Sequence, residues 1–232
     1  MEHKFALFDA PLVYNFSALS KSNGGDLRKV FDDTLVQTDP VAAVVCLPQR
    51  LFCVVLTILQ TLVMNHDTQP YQALEAPIEG WFKPLAYALI LLRDQGYPCV
   101  WYGDLYGIKG EHPFPQSCGG MLPHIMLARK LYCYGKQADY FDFDTCIGWV
   151  RYGTWDRRFG CAVVMSNAGA GWKRMHVGEM HAGEVWSDVL GWDNKEVVIG
   201  DDGFGEFHCG QTSVSIWVNR EAEGRDKFGD KL

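Results

Sequence analysis

The chain has 232 residues, enough for one large domain or two smaller ones. Its formal net charge of −7 comes from 21 basic and 28 acidic residues scattered along the chain, and no basic stripe offers nucleic acid a binding surface. Hydrophobic residues make up 48% and charged residues 21%, which argues against global disorder, and the longest apolar stretch, 51–64, is too short to span a bilayer.

Residues 1–135 alternate between strand-like and helix-like patterns. The pattern predicts strands at 5–8, 61–64 and 97–102, and helices at 26–36, 80–93 and 122–134. Such alternation predicts right-handed crossovers and a parallel sheet. Polar residues follow each strand at its carboxyl end, which is where a parallel barrel builds its active site.

Beyond about residue 140 the pattern changes to short strands separated by turns rich in Gly, Asp and Asn. The predicted strands are 146–152, 159–165, 172–177, 183–189, 195–199, 205–209 and 212–218. This spacing is typical of a β-sandwich. We place a boundary near residues 136–140, which gives domains at 1–138 and 139–220, and we expect the charged tail, 221–232, to fray.

The eight cysteines lack the spacing of zinc sites or disulfide frameworks. We interpret all eight as reduced structural residues, which favours a cytoplasmic location. Charged and polar residues at Glu2, His3 and Lys4 interrupt any signal peptide at the start of the chain.

The triplet Asn65-His66-Asp67 follows the second predicted strand and is the clearest candidate for chemistry. An Asp there can accept hydrogen bonds from sugar hydroxyls, and a neighbouring His can donate to them. A His-Asp pair after a strand more often has a structural role, so that alternative stays open. Glycoside hydrolysis also needs two carboxylates, and this triplet supplies one.

Several longer motifs resemble the C-terminal half of the α-amylase family, glycoside hydrolase family 13. The run TLVMNHDTQP at 61–70 resembles the family's fourth conserved region, at the end of barrel strand seven. The runs WFKPLAYALILLR at 81–93 and GYPCVWYGDLYG at 96–107 resemble helix seven and strand eight, and FDAPL at 8–12 resembles the end of strand six. The runs AGAGWKRM at 168–175 and AGEVWSD at 182–188 resemble the Greek-key C-terminal domain of the bacterial liquefying and intracellular fungal-like branch.

The resemblance implies a partial (β/α)8 TIM barrel, about strands six to eight, followed by a Greek-key β-sandwich. It implies a retaining endo-hydrolase of α-1,4-glucan such as starch, glycogen or maltooligosaccharides. Asp67 matches the transition-state-stabilising Asp, and His66 matches the His that binds the same sugar ring. The family's nucleophile and general acid would precede Met1, so we expect this chain alone to be inactive. We expect Asp9 and Asp104 to anchor loops rather than to act in catalysis.

Calcium is the cofactor that the resemblance implies, with most ligands expected in the N-terminal part of the family. A site between barrel and sandwich would use the backbone of residues 23–25 together with Asp144 and Asn167. Asn167 stands where a relative has Asp, which weakens the expected site because carboxylates are preferred calcium ligands.

One segment departs from the family pattern. Residues 45–60 are 16 extra residues, and their removal would join Val44 directly to Thr61 and restore the pattern. Their codons can carry splice signals, so we interpret them as a retained intron translated in frame; a genuine insertion forming a helix is the alternative. For the chain as a whole, the alternatives to an α-amylase part are a non-catalytic carbohydrate-binding fragment and a gene product without function.

Overall fold

The computed structural model describes residues 6–38, 58–110 and 112–229. In its first part, strands and helices alternate along the chain. The elements are β1 (Ala6–Phe8), α1 (Ala10–Ser20), α2 (Leu35–Thr38), β2 (Ile58–Leu62), α3 (Lys83–Leu92), β3 (Tyr97–Cys99), α4 (Tyr102–Tyr106) and α5 (Leu122–Tyr132).

The three strands of this part form one parallel sheet in the order β1-β2-β3. Ala6 pairs with Ile58, and Gln60 pairs with Tyr97. The parallel order that the alternating pattern predicted is therefore confirmed for these strands. Parallel pairing also brings the carboxyl ends of all three strands to the same edge of the sheet.

Helix α1 is not among the helices that the sequence pattern predicts. Asp9 caps the helix through a bond from the Leu12 backbone N–H to Oδ1, and Pro11 lies in the first turn, where a missing N–H costs nothing. The helix is held mainly by burial of Leu12 and Phe16, which are both 0% exposed.

The single helix predicted over 26–36 is wrong. Asp26 does cap a helix, but it is a 3-10 turn at Leu27–Lys29, and α2 begins only at Leu35. Asp33 lies between them with a φ of 57°. A left-handed residue cannot continue a right-handed helix, so the segment divides into two short pieces.

Helix α3 is surrounded by the rest of the protein, which explains why nearly all of its side chains are apolar. Apart from Pro84, all of its residues are buried, including Lys83. A helix that is hydrophobic all round is a core helix. It packs on α5 and reaches β11 of the second part, so one continuous core joins the two parts.

The second part is a β-sandwich-like domain with a six-stranded antiparallel sheet in the order β4-β5-β6-β11-β8-β9 and a smaller pair, β10-β7. Its strands are β4 (Gln137–Tyr140), β5 (Cys146–Arg151), β6 (Cys161–Ser166), β7 (Gly171–His176), β8 (Val185–Asp188), β9 (Glu196–Val198), β10 (Phe204–Cys209) and β11 (Ser213–Asn219). All seven predicted strands are present within two residues at each end. Strand β4 was not predicted, and it extends the sheet to Gln137.

The six-stranded sheet is covered on both faces. Trp149 and Ile216 pack toward α3 and the first part, whereas Trp186, Phe207 and Trp217 pack between the large sheet and the β7–β10 pair. Burial on both faces explains why every residue of β5 and β6 is buried instead of every second one.

The start of the predicted tail does not fray. Ala222 is 4% exposed, the Tyr132 hydroxyl donates to the Glu223 carbonyl, and Arg225 donates to the Ser187 hydroxyl. A 3-10 helix follows at Arg225–Phe228. The expectation of a frayed tail is therefore wrong for residues 221–229, because these contacts dock it on α5 and β8.

Most of the predicted insertion, 45–57, lies outside the described residues. Its last three residues form the start of β2, where Ile58–Gln60 pair with β1. The origin of the segment as a retained intron or as a genuine insertion stays a prediction.

The six cysteines among the described residues are all free, and Cys46 and Cys53 lie outside that part. Among the described residues, no helix is long and apolar enough to cross a membrane.

Candidate functional site

The loop after β2 presents His66 and Asp67 at the carboxyl edge of the parallel sheet. Val63 and Met64 are buried directly before it, and the chain then turns into solvent. The His66 side chain is 82% exposed and the Asp67 side chain is 56% exposed. His66 Nε2 lies 3.5 Å from Asp67 Oδ1, so the two groups face the same space.

Asn65 holds this loop in shape. Its side-chain Oδ1 accepts from the backbone N–H of Asp67 at 3.0 Å and of Thr68 at 2.9 Å. The Thr68 hydroxyl donates to the same oxygen and accepts from the Asn65 N–H, both at 3.0 Å. Asn65 and Thr68 thus hold the turn, while the side chains of His66 and Asp67 lie in solvent beside each other.

Asp9, which follows β1, is not exposed. Its carboxylate is 0% exposed and accepts three backbone N–H bonds, from Leu12, Leu35 and Val36. It therefore ties α1 to α2. This is the loop-anchoring role expected for Asp9.

Asp104, which follows β3, is also 0% exposed and fully hydrogen-bonded. Oδ1 accepts from Lys83 Nζ at 2.6 Å and from the Ser117 hydroxyl at 2.5 Å, and Oδ2 accepts from the Tyr87 hydroxyl at 2.5 Å. Burial, with the neighbouring Asp104 charge as a smaller cause, raises the pKa of Tyr87 far above its usual value. Asp104 therefore anchors α4, the short helix after β3, to α3, and its buried oxygens are not accessible to a substrate.

A cleft of about 510 Å³ is lined by residues 69–72, which follow Asp67 in the same loop, and by residues after β3; His66 and Asp67 are not among the residues that line it. Tyr71 stacks on His112 in this cleft, with ring centroids 4.3 Å apart and an interplanar angle of 24°. Trp101 and Phe114 also line the cleft, with ring centroids 6.0 Å apart. The backbone of Tyr71 has a φ of 70°, a conformation that costs free energy and is often kept at functional sites.

Sequence reasoning did not find Tyr71, Trp101 or His112 as cleft residues. Tyr71 was visible as an aromatic residue four positions after Asp67. His112 gave no signal, since it follows a run of loop residues and only the fold brings it to Tyr71.

The two predicted calcium ligands are near each other but differ in exposure. Asp144 is exposed, and its backbone carbonyl accepts from the Leu27 N–H at 2.7 Å. Asn167 is 0% exposed, and its side-chain Nδ2 donates to the Gly25 carbonyl at 2.7 Å. Within 6–38, 58–110 and 112–229, no group of three or more His, Cys, Asp and Glu side chains could hold a metal ion.

Comparison with known proteins agrees with this architecture. Residues 162–218 match the family model "Alpha-amylase C-terminal". The chain is 44% identical over 219 residues to an α-amylase of Bacillus licheniformis, a match that covers 93% of this chain and 40% of that protein. It is 46% identical over 217 residues to a glucan 1,4-α-maltohexaosidase of Bacillus sp. strain 707, covering 93% and 38%. It is 43% identical over 230 residues to the cytoplasmic α-amylase of Escherichia coli K12, covering 95% and 43%.

Solved structures show the same fold. An Anoxybacillus α-amylase superposes with a TM-score of 0.60 at 18% identity, covering 92% of this chain and 47% of that one. An α-amylase from Malbranchea cinnamomea superposes with a TM-score of 0.59 at 16% identity, covering 94% and 47%. The chain thus spans about two fifths of the length of the curated relatives that it matches. Over most of its length the chain corresponds in sequence to the C-terminal part of proteins of the α-amylase family, glycoside hydrolase family 13.

Proposed function

We propose that this chain forms the C-terminal portion of a retaining endo-hydrolase of α-1,4-glucan, and that His66 and Asp67 hold one glucose ring of the substrate. The observation that carries the proposal is the exposure of the His66–Asp67 pair at the carboxyl edge of a parallel sheet, beside a cleft lined by aromatic rings. The names of the relatives, α-amylases and a maltohexaosidase, support α-glucan as the ligand.

The proposal treats the β1-β2-β3 sheet as the last strands of a (β/α)8 barrel. Its support is the parallel order, the helices that follow the strands and the position of the candidate residues at the strands' carboxyl ends. The six-stranded sheet then packs beside this barrel segment through α3, as one core.

In this site Asp67 accepts hydrogen bonds from adjacent sugar hydroxyls, and His66 donates one from its ring nitrogen. Such bonds stabilise the distorted, positively charged sugar ring in the transition state when they strengthen during the reaction. Tyr71 and Trp101 supply aromatic surface against which the apolar faces of neighbouring rings can pack.

Cleavage requires a nucleophile and a general acid as well. Of the three aspartates that follow the parallel strands, only Asp67 has a free carboxylate, because those of Asp9 and Asp104 are buried and hydrogen-bonded. The chain by itself is therefore proposed to bind α-glucan without hydrolysing it. Its partner is a polysaccharide or oligosaccharide, and neither nucleic acid nor a membrane is part of the proposal.

The proposed location is the cytoplasm. The name of the Escherichia coli relative and the free thiols of the six described cysteines support it. Calcium stays a prediction from the family, and no step of the proposed function depends on it.

Two assays on the purified chain test the proposal. Incubation with soluble starch should release no reducing ends above a heat-treated control. Titration with maltohexaose should shift the imidazole proton signals of His66 in the NMR spectrum, and Asp67→Asn should weaken the titration. Hydrolysis by the chain would contradict the proposed division of roles, and absence of any His66 shift would favour a gene product without function.

A further inference from the structure

The two parts of the chain meet at a junction made of three segments. Residues 24–27, which follow α1, lie against residues 144–145 before β5 and against Asn167 after β6. The Gly24 N–H donates to the Asn167 carbonyl at 3.1 Å, and the Leu27 N–H donates to the Asp144 carbonyl at 2.7 Å. These backbone hydrogen bonds join the first part of the chain directly to the sandwich.

The Asn167 side chain also forms a hydrogen bond across this junction. It is 0% exposed, and its Nδ2 donates to the Gly25 carbonyl at 2.7 Å. Turning the amide over would place Oδ1 against that carbonyl oxygen, with two acceptors facing each other and no proton between them. The observed orientation is therefore the one that the contact favours.

This arrangement does not fit the calcium site expected here. Calcium takes about six to eight oxygen ligands, usually including carboxylates. The amide N–H of Asn167 cannot be a ligand, and it lies against the Gly25 carbonyl that would be one. Asn167 Oδ1 has no hydrogen-bond partner among the described residues. As a neutral oxygen it compensates little of the free-energy cost of removing a divalent ion from water.

The charges of the junction also disfavour a cation. Asp144 is exposed, so its carboxylate remains in contact with water. Asp26 is engaged by Arg28, whose Nε lies 2.8 Å from Oδ1. This contact holds a positive guanidinium against Asp26, and the hydrogen bond to Asp26 is the main reason why the pKa of Arg28 is raised.

We propose that the Asn167 carboxamide closes the junction between the two parts in place of a calcium ion, so that this chain joins barrel segment and sandwich without metal. The proposal concerns only the junction segments and does not depend on the proposed glucan site. Under this proposal Asn167 links the two parts through its side-chain N–H, and its side-chain oxygen is not required.

The first test uses the wild-type chain, with terbium luminescence and calcium titration to detect binding. Thermal unfolding is then compared in excess calcium and in EGTA. If the junction bound calcium, a free calcium concentration of one hundred times the Kd would raise Tm by about 5–10 °C in a chain of this size. We expect no calcium-dependent change in Tm and no change in amide hydrogen exchange at Gly24, Gly25 or Leu27.

The second test compares Asn167→Asp with Asn219→Asp. Both changes are isosteric and add one negative charge, but Asn219 lies on β11, where its Oδ1 accepts from the Glu221 N–H and would remain an acceptor. In EGTA, Asn167→Asp should lower Tm by several degrees more than Asn219→Asp, because two oxygens then face each other at Gly25.

Two results would overturn the proposal. One is a calcium-dependent rise of the wild-type Tm that disappears in Asn167→Ala and is accompanied by added exchange protection at Gly24–Leu27. The other is an Asn167→Asp chain as stable in EGTA as the wild type. A calcium-dependent rise that is equal in wild type and Asn167→Ala would place the ion elsewhere and support a metal-free junction.

Discussion

Lys83 and Asp104 form an ion pair that lies almost wholly out of water. Nζ is 2.6 Å from Oδ1, and the two side chains are 2% and 0% exposed. The Ser117 and Tyr87 hydroxyls donate to the same carboxylate, so both of its oxygens are occupied. The pair ties the start of α3 to α4, and residues on either side of α4, Trp101 and Ile108, line the proposed glucan cleft.

We expect Asp104→Asn to destabilise the chain strongly. Removal of one partner leaves Lys83 as an uncompensated buried charge, which costs about 3–5 kcal/mol. Urea denaturation followed by tryptophan fluorescence measures the change. Asp202→Asn is the matched control, since Asp202 pairs with Arg174 at the surface, where such pairs contribute about 0–1 kcal/mol. Equal losses in the two variants would contradict the assigned role of Asp104.

Asp188 offers a second test of buried polar contacts, in the sandwich. Its carboxylate accepts four backbone N–H bonds, from Leu190, Trp192, Asp193 and Ile216. Asp188→Asn replaces one accepting oxygen by an amide donor and leaves buried N–H groups unpaired, which should cost about 1–3 kcal/mol. Denaturation of the variant, with Asp193→Asn for comparison, checks this, and an unchanged free energy of unfolding would show that these bonds contribute little.

The thiols should differ greatly in reactivity. Cys99 is exposed, whereas Cys118 and Cys161 are buried. Burial raises the pKa of Cys118, and the Cys133 thiol together with burial raises the pKa of Cys161, so both stay protonated and unreactive. Alkylation mapped by mass spectrometry should label Cys99 in the native chain, and Cys118 and Cys161 only in denaturant. Rapid native labelling of Cys161 would contradict the packing of Cys133 against it, Sγ to Sγ 3.6 Å.

Tyr71 should show opposite effects on stability and binding. Tyr71→Gly relieves a left-handed backbone that costs a bulky residue about 1–2 kcal/mol, so Tm should stay equal or rise. The same change removes the ring that stacks on His112, and maltohexaose binding should weaken. Tyr71→Phe keeps the ring and should match the wild type in both measurements. A loss of stability in Tyr71→Gly with unchanged binding would mean that the ring serves packing alone.

Much of the fold could be predicted from the sequence, because the spacing of apolar residues along the chain reflects which side chains are buried. The seven sandwich strands and helices α3 and α5 were predicted because their apolar runs are bounded by turns. Helix α1 was missed, since Asp9-Ala10-Pro11 fits both a turn and a capped helix start, and only burial of Phe16 decides between them. The contacts of the tail at Arg225 depend on distant partners and leave no local signal.

The candidate site could be predicted only in part, for a similar reason. His66 and Asp67 stand in one motif, and their exposure follows from the strand end before them. The Tyr71–His112 stack joins two loops that are 41 positions apart in sequence, so no local pattern predicts it. The family resemblance implies Asn167 as a metal ligand, whereas its contact with Gly25 shows an amide donor at that place.

The central claim is that the His66–Asp67 edge binds α-glucan, and affinity electrophoresis in starch-containing native gels tests it most directly. Mobility in a gel without starch corrects for the charge change in Asp67→Asn. The account predicts that starch retards the wild-type chain and that Asp67→Asn weakens binding about tenfold or more, the equivalent of losing one hydrogen bond to a charged group. A wild-type chain that starch does not retard, or retardation that Asp67→Asn leaves unchanged, would contradict it.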